Sequence, residues 1–485
     1  MPNGPTRLIE TGETAWRVEQ ADKLARIVDG ADYFRAVKGA MLSARQTIML
    51  IGWDFDTRVE FEPGRETMEG PNQLGDFLEW LPQNRDDLHI YMLKWDLGAV
   101  QSIGRGMMPM SIRTLGMGEN FTFRLDSHHP TGAAHHSKIV VIDDQIAFCG
   151  GIDMTAGRWD TRAHADDEEH RKMPGGEPSK PWHDVTTAVS GPLAKALGDL
   201  ARERWKRATG DVIETPDGAD AIWPDGLDPT LTNVPVGISR TYPDYAGHEE
   251  IREIEALYLR LIAEVQDTLY VETQYLAAPR IAEAIAERLQ EPDGPEFIII
   301  LPRKSEGWLR QKAMDGARFN LLHMLWDKDV HGRFGAFFPV TEGGAAIYVH
   351  AKLTVMDDRL ARVGSSNFNN RSLGFDTECD LAVEASACPD PEAVRAKIRE
   401  TRTDMLAEHL DKSHETVDAA ITAEGSVLKA IEALRGAGRT LVPFTPDEIA
   451  EDDNGLSDNE MADPEQASET FLERLAEGIA DFAED

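Results

Sequence analysis

The chain carries the same pattern of reactive side chains twice. In each copy a lysine follows a histidine by two positions, and an aspartate follows the lysine by five. The members are His136, Lys138 and Asp143 in the first copy and His350, Lys352 and Asp357 in the second. Two imidazoles can serve as a nucleophile and a proton donor, and two ammonium groups can neutralise an anionic phosphate. The duplicated pattern indicates a site for a phosphodiester, whereas a single copy would also fit a buried strand with a satisfied core histidine.

The residues around each pattern predict the strand that must position it. In an extended segment alternate side chains point the same way, so each histidine shares a face with its lysine. The next four residues, 139–142 and 353–356, are mainly β-branched or apolar, as in a strand buried on both faces. Each motif would therefore start a buried strand, and its aspartate would lie where the chain leaves the sheet.

The flanks of the two copies also match, which makes chance a poor explanation. A second acidic residue follows each motif aspartate, and a glycine-led turn follows each strand. Asp153 and Asn367 each lie fifteen positions after the motif lysine. An internal duplication accounts for all of these matches.

Helical and strand-like stretches alternate in the same order in both halves. Each half has a helix-like stretch, an apolar run directly after it and a further apolar run before its motif. They are 33–44, 47–53 and 88–93 in the first half and 251–265, 268–275 and 297–301 in the second. This alternation predicts the α/β class. We expect two similar α/β domains, each a sheet flanked by helices, related by a pseudo-two-fold axis with one shared active site at their interface.

Composition sets the predicted domain boundaries. We predict an N-terminal α/β domain at 1–210, an inter-domain connection at 211–245, a C-terminal α/β domain at 246–440 and an acidic tail at 441–485. The connection is rich in Pro, Gly and Asp and shows little periodicity. Each predicted domain then contains one copy of the motif.

At these residues the chain resembles the phospholipase D superfamily, whose defining motif is this duplicated segment. The resemblance covers most of residues 30–412. Further matches lie at Ile51-Gly52-Trp53, Gly150-Gly151-Ile152-Asp153, Gly157-Arg158-Trp159-Asp160-Thr161, Pro181-Trp182-His183-Asp184, Tyr270-Val271-Glu272-Thr273-Gln274-Tyr275, Gly364-Ser365-Ser366-Asn367 and Asn370-Arg371-Ser372. Many members of the superfamily, cardiolipin synthases among them, carry Asn at the position of Asp153. The aspartate here favours a phospholipase D.

The resemblance implies a division of labour between the two histidines. It makes His136 the nucleophile, which forms a phosphohistidine, and His350 the general acid and base. It also points to Asp184 and Glu378 as the carboxylates that orient the imidazoles. The sequence leaves open which carboxylate supports which histidine.

The remaining candidates bind phosphate or support the fold. Lys138 and Lys352 would neutralise the phosphate as fixed charges, so that no metal and no other cofactor is needed. Asn367 and Ser365 would add hydrogen bonds to the phosphate. Three further carboxylates are interpreted as structural, namely Asp143, Asp357 and Asp153.

We therefore predict an enzyme, a phosphodiesterase of the phospholipase D type. It would hydrolyse glycerophospholipids to phosphatidate and a free headgroup, and would transfer the phosphatidyl group to alcohols. Within the same fold, a cardiolipin synthase-like phosphatidyl transferase and then a nucleic-acid phosphodiesterase remain as alternatives. A non-catalytic scaffold is the alternative from another class, and the intact histidines and lysines argue against it.

The net charge of the chain indicates which kind of binding partner to expect. The formal net charge is -36 and the isoelectric point is about 4.7, and no Lys- or Arg-rich run occurs. Affinity for nucleic acid comes largely from clustered basic residues, so a nucleic-acid partner is not expected. We expect a phospholipid substrate at a membrane surface, bound by a monomer whose halves form an internal pseudo-dimer.

Apolar stretches and cysteines indicate the cellular compartment. No stretch approaches the roughly 18 apolar residues of a membrane span, so no transmembrane anchor is expected. Cys149, Cys379 and Cys388 are odd in number and have no CxxC spacing, which favours reduced, buried thiols. We expect a cytoplasmic protein that meets the membrane peripherally.

Three segments carry weaker patterns. The methionine-rich loop 107–110 would contact acyl chains or pack in the core. In the tail, Thr470 and Glu473 form a capping box before apolar residues at helical spacing, which predicts a docking helix or a terminal helix packed on its own protein. The acidic loop 164–170 suggests a metal site, but a solvated loop is the favoured interpretation.

Overall fold

A computed structural model of the chain describes residues 7–96, 118–217, 222–305, 308–446 and 463–465. The methionine-rich loop and the predicted tail helix lie outside these ranges. In the described part, no helix is both long enough and apolar enough to cross a bilayer.

The first half alternates strands with helices, as its periodicity predicts. Its elements are β1 Arg17–Val28, α1 Gly30–Leu42, β2 Thr47–Gly52, α2 Leu74–Gln83, β3 His89–Trp95, β4 Phe121–Asp126, β5 Ile139–Ile142, β6 Ile146–Gly150, β7 Trp182–His183, β8 Val185–Ser190 and α3 Pro192–Thr209. Both the predicted first helix and the predicted strand after it are confirmed to within a few residues. The apolar run before the motif becomes β3.

The second half repeats this order. Its elements are β9 Leu231–Tyr242, β10 Ile251–Arg252, α4 Glu253–Glu264, β11 Thr268–Glu272, α5 Pro279–Leu289, β12 Glu296–Ile300, α6 Trp308–Lys328, β13 Phe334–Val340, β14 Tyr348–Val349, β15 Leu353–Met356, β16 Leu360–Gly364, a π-turn at Arg371–Phe375, β17 Glu378–Glu384, a 3-10 turn at Ala385–Ala387, α7 Pro391–Leu410, α8 His414–Glu424, α9 Val427–Leu434 and β18 Thr440–Pro443. The two motif strands, β5 and β15, each begin three residues after their motif histidine, so the histidines themselves precede the strands.

One sheet runs through both halves. Its order is β18-β13-β12-β11-β15-β16-β17-β9-β1-β8-β6-β5-β2-β3-β4, with β10 paired to β9. Outward from the central β1 and β9 pair, six strands of one half have counterparts at the same places in the other, and β18 extends the edge of the second half. This symmetry confirms the predicted α/β fold with a pseudo-two-fold relation between the halves.

The central strand β9 lies in the segment predicted to be an inter-domain connection. It pairs antiparallel with β1, with Arg17 opposite Ile238 and Leu24 opposite Leu231, and it also pairs with β17. Pro235 lies inside it, opposite Gln20, and a proline is rare in a central strand. Partners remote in sequence stabilise this strand, so local composition did not indicate it.

Apolar side chains fill both faces of the sheet. One cluster is shared by the halves beneath α3 and α7, and it includes Val141 and Val355 from the motif strands. Two further large clusters each lie mainly in one half. The motif strands are therefore buried on both faces, which fixes the positions of the side chains at their ends.

Candidate active site

The two motif histidines meet at the contact between the halves. The backbone N–H of His136 donates to the carbonyl of Thr377 at 2.9 Å, and that of His350 donates to the carbonyl of His183 at 2.8 Å. Each histidine is thus held by backbone from the opposite half. Both line one cleft of about 690 Å³, and their side chains are 16% and 6% exposed respectively.

The orienting carboxylates cross between the halves. His136 Nδ1 lies 3.0 Å from Glu378 Oε1, and His350 Nδ1 lies 2.7 Å from Asp184 Oδ2. Engaging Nδ1 leaves Nε2 of each ring for chemistry. The sequence left this pairing open, and the tertiary structure assigns each carboxylate to the histidine of the other half.

Glu378 is itself held by two serine hydroxyls. Ser372 Oγ donates to Oε1 at 2.7 Å, and Ser365 Oγ donates to Oε2. Ser365 is fully buried and does not line the cleft, so the predicted contact between Ser365 and the phosphate is corrected to a contact with Glu378. Sequence reasoning gave Ser372 no role, although its Asn-Arg-Ser surroundings carried the family resemblance.

The two motif lysines have unequal surroundings. Lys138 Nζ donates to the carbonyl of His136 at 2.6 Å and forms an ion pair with Asp153 Oδ2 at 3.1 Å. Lys352 donates to the carbonyl of His350. The counterpart of Asp153 is the neutral Asn367, which lines the cleft and accepts a hydrogen bond from the backbone of Gln274. Asp153, predicted to be structural, therefore also pairs with a catalytic candidate.

Burial and neighbouring cations set the protonation states. Burial, then the charges of Lys138 and Lys352, hold the pKa of His136 well below its usual range. Burial and then Lys352 lower that of His350 in the same way. Burial also lowers the pKa of Lys352 to about 7 and raises that of Glu378 to about 8. Without substrate, both imidazoles are neutral near pH 7.

The motif aspartates point away from the cleft. Asp143 accepts hydrogen bonds from the backbone N–H groups of Arg45, Gln46 and Thr47 at 2.7 to 2.9 Å. Asp357 makes the equivalent three contacts before β11, at 2.9 to 3.1 Å. Each carboxylate ties the turn after a motif strand to the start of the neighbouring strand.

We expect Asp143→Ala to lower the free energy of unfolding by about 3 kcal/mol, because three backbone donors lose their acceptor. Activity per folded molecule should change less than about threefold, since the carboxylate does not reach the cleft. Urea denaturation together with kcat/KM measures both quantities. Asp143→Asn keeps one acceptor and tolerates the positive φ of 50°, so it should be intermediate in stability. A tenfold loss of kcat at unchanged stability would contradict this role.

A buried cluster of histidines and carboxylates adjoins Asp184, whose backbone N–H donates to Asp29 at 3.0 Å. Asp29, His164, His183 and Glu408 place their ligand atoms within 4.8 Å of one another, and all four are buried. These side chains could hold a metal ion. The solvated-loop interpretation of 164–170 is therefore wrong for His164, which is 1% exposed, while the acidic residues that follow it are mostly exposed.

Protonated histidines can also offset the negative charges of the carboxylates in this cluster. His183 Nδ1 lies 2.8 Å from Glu408 and its Nε2 lies 2.8 Å from Glu272. Burial by itself would lower the pKa of His164, but the neighbouring carboxylates, led by Asp29, raise it to about 9. An imidazolium at His164 thus stabilises the carboxylates around it.

We expect the contribution of His164 to the free energy of unfolding to fall as pH rises from about 6.5 to about 9. The folded pKa of His164 is above the unfolded value near 6.5, so its contribution is complete below pH 6.5 and is lost as pH rises through 9. The shift corresponds to about 3 kcal/mol at most. Urea denaturation in a chelating buffer measures the slope, and His164→Gln should remove this part of it. Equal slopes for both proteins would contradict the assignment.

The described part of the tail also contacts the site. The buried carboxylate of Asp463 accepts hydrogen bonds from the backbone N–H groups of Asn370 and Arg371 at 2.8 and 2.9 Å. Arg371 lines the cleft. The tail thus anchors one edge of the wall that surrounds the histidines.

Comparison with known families matches both halves. A family model described as "Phospholipase D" matches residues 119–220, and one described as "Cardiolipin synthase, PLD-like domain" matches residues 258–398. Each match contains one copy of the duplicated motif. The two halves are therefore recognised separately, as expected for a duplication.

Curated relatives match over most of the chain at low identity. The protein called "Phospholipase D A" from Dictyostelium discoideum is 23% identical over 73% of this chain and 32% of its own length. "Phospholipase D alpha 1" from Vigna unguiculata is 22% identical over 78% of this chain and 63% of its own length. The chain spans between about a third and just under two thirds of these relatives.

Among solved structures, a phosphatidylserine synthase from Haemophilus influenzae Rd KW20 has a similar fold. The TM-score is 0.50 at 12% identity, over 86% of this chain and 96% of that one. The likeness extends through both halves of the present chain.

Proposed function

The chain belongs to the phospholipase D superfamily, and from that membership we propose that it is a phospholipase D that hydrolyses glycerophospholipids to phosphatidate and a free headgroup. One observation carries the proposal. Two histidines from different halves line one cleft, and each is oriented through Nδ1 by a carboxylate of the opposite half. This is the arrangement that a two-step displacement at a phosphodiester requires.

In the first step, Nε2 of the neutral His136 attacks phosphorus in line with the bond to the headgroup oxygen. The new bond is N–P, and the P–O bond to the headgroup breaks. His350 must donate a proton to the leaving oxygen, yet in the empty site it is neutral. We propose that the arriving phosphate anion offsets the charge of Lys352, and that His350 thereby gains its proton.

In the second step, His350 removes a proton from water, and the resulting nucleophile attacks the phosphohistidine. The N–P bond breaks, phosphatidate leaves and His136 returns to its neutral form. Glu378, which is protonated near pH 7 in the empty site, releases its proton as positive charge develops on the His136 ring, and its carboxylate then stabilises that charge. Asp184 does the same for His350 during each proton transfer.

Lys138 and Lys352 would neutralise the non-bridging phosphate oxygens in both steps. Their ammonium groups are held in place by the carbonyls of the motif histidines, so they need no reorganisation when charge develops. Asn367, at the wall of the cleft, would add a hydrogen bond. We propose that the phosphate is bound by these groups without a metal at the phosphorus.

An alcohol can replace water in the second step, because it attacks the same phosphohistidine. Transphosphatidylation is therefore part of the proposal. The match of the second half to a cardiolipin synthase model favours phosphatidyl transfer as the second candidate function. The two functions differ only in which acceptor reaches His350.

We propose that the protein acts as a monomer at a membrane surface, with the two halves as an internal pseudo-dimer. Cys149, Cys379 and Cys388 are free and buried, which favours a reducing compartment such as the cytoplasm. The strongly negative net charge argues against nucleic acid as the substrate.

The test is incubation of the purified protein with vesicles of phosphatidylcholine, phosphatidylethanolamine, phosphatidylserine or phosphatidylglycerol. Each is assayed with and without ethanol and with chelator present. Phosphatidate without ethanol and phosphatidylethanol with it, both despite chelator, are expected. Transfer without hydrolysis would favour the synthase, and cleavage of DNA but of no lipid would refute the proposal.

A further inference from the structure

One side of the cleft carries a stack of side chains that crosses between the halves. The guanidinium carbon of Arg158 lies 3.8 Å from the ring centre of Trp182. Tyr348, from the other half, stacks on Trp182 with 4.6 Å between ring centres and an angle of 19°. Tyr348 in turn accepts a hydrogen bond from Gln274 at 2.9 Å. Strands β7 and β14 hold the two rings side by side, so Arg158 rests on a rigid support.

No carboxylate of the described ranges lies within ion-pair distance of Arg158, and its buried Nε makes no hydrogen bond there. The charges of Asp54 and Asp184 act on Arg158 only from beyond ion-pair distance. Arg158 nevertheless lines the cleft. A guanidinium held at a cleft wall without a carboxylate is suited to bind an anion that enters the cleft.

On the opposite side of the cleft, the corresponding arginine, Arg371, is neutralised by a carboxylate. Arg371 follows Asn367 by four residues, much as Arg158 follows Asp153 by five. Arg371 donates to both oxygens of Asp376, at 3.0 and 2.7 Å.

The backbone shows that Asp376 and Trp182 occupy equivalent positions. Asp376 directly precedes Thr377, whose carbonyl holds His136, and Trp182 directly precedes His183, whose carbonyl holds His350. Where one half has the carboxylate that neutralises its arginine, the other half therefore has an indole. The pseudo-symmetry is broken so that a positive charge stays open on one side only.

The guanidinium of Arg158 lies on the side of the cleft that contains His350. The ring centres of Trp182 and His350 are 5.2 Å apart. After burial and Lys352, Arg158 is the next cause of the lowered pKa of His350, so its charge acts on this imidazole. In the proposed mechanism His350 protonates the departing headgroup, and Arg158 is therefore a neighbour of that headgroup.

We propose that Arg158, supported by Trp182, recognises a negatively charged group in the headgroup, and that the preferred substrates are phospholipids with an anionic headgroup such as a carboxylate. The inference rests on the proposed function. A planar guanidinium binds a carboxylate through two parallel hydrogen bonds. Trp182 itself offers no open face to a quaternary ammonium, because Arg158 and Tyr348 both stack on it.

Phosphatidylserine and phosphatidylethanolamine are the matched pair that tests the inference, because their headgroups differ by one carboxylate. Each is presented at the same low mole fraction in neutral detergent micelles, so that the surface charge stays low with either lipid. The wild-type protein should have the higher kcat/KM for phosphatidylserine. Arg158→Gln should lower that value by about 10- to 100-fold and the value for phosphatidylethanolamine by less than about threefold.

Arg158→Lys should recover part of the preference, since it keeps the charge but not the fork geometry. Arg435→Gln makes the same change in net charge at an exposed position that pairs with Glu432, and it should leave both values unchanged. Thermal melting checks that each variant is folded. If Arg158→Gln unfolds, the serine-to-ethanolamine ratio of the folded Arg158→Lys protein decides, and an unchanged ratio counts against the inference.

The experiment distinguishes a failure of the inference about Arg158 from a failure of the proposed function. An equal loss on both lipids in Arg158→Gln, or an unchanged ratio, would overturn the inference while the proposed function stands. A wild-type protein that cleaves neither lipid, nor any other phospholipid, would refute the proposed function and the inference with it.

Discussion

Replacing His136 with alanine is expected to lower kcat by at least about 10⁴-fold, because the proposed nucleophile is removed. Such a loss corresponds to more than about 5 kcal/mol of transition-state stabilisation. The fold should be preserved, since the His136 side chain lies at the cleft and is partly exposed. Steady-state release of headgroup measures the loss.

Covalent trapping separates the roles of the two histidines. With phospholipid labelled at phosphorus, protein denatured in alkali should carry label in the wild type and in His350→Ala, but not in His136→Ala. His350→Ala should turn over as slowly as His136→Ala, because the intermediate cannot be hydrolysed without the base. His323→Ala, at an exposed histidine, is the control. Label in His136→Ala and none in His350→Ala would reverse the assignment.

Replacing the crossed carboxylates with amides should give the second largest effect. We expect Glu378→Gln and Asp184→Asn each to lower kcat by about 10³-fold with little change in KM. The amide fills the same space but no longer stabilises an imidazolium, and it can hold the ring in the wrong tautomer. The two variants should differ in the step that they slow.

Rapid mixing distinguishes the steps. Glu378→Gln supports His136 poorly, so formation of the phosphohistidine should be slow and no intermediate should accumulate. Asp184→Asn impairs His350, which acts in both steps, so the intermediate should form slowly and also persist. Glu432→Gln, at a surface ion pair, is the matched control. If the two variants exchanged these behaviours, the roles of His136 and His350 would be reversed, because each carboxylate contacts only the histidine of the other half. A loss below tenfold would remove both carboxylates from the mechanism.

Much of the fold follows from local periodicity. The predicted helix at 33–44 and the strand at 47–53 correspond to α1 and β2, because each has enough apolar residues at its own period to indicate the element. The strand β9 was missed. Its stability comes from β1 and β17, which are far away in the sequence, and Pro235 within it argues for a loop.

The positions of side chains that act through other side chains could not be predicted. Ser365 follows a glycine-led turn, which suggested a phosphate contact, yet the register of β16 with β17 turns its hydroxyl toward Glu378. His164 lies in an acidic stretch that suggests solvent, yet it is buried against Glu408 of α7. Both contacts join residues from separate strands or from separate halves, and no local pattern encodes them.

The sequence by itself determined the reactive groups, their duplication and the α/β elements that carry them, because residue type and short-range spacing are local properties. The tertiary structure alone decided that each histidine takes its carboxylate from the opposite half, and that the halves differ around Arg158 and Arg371. Those facts depend on how β1 pairs with β9 and β7 with β14. Strand register across a pseudo-two-fold axis is set by packing of the whole molecule, so two copies that look equivalent along the chain become chemically distinct in the folded protein.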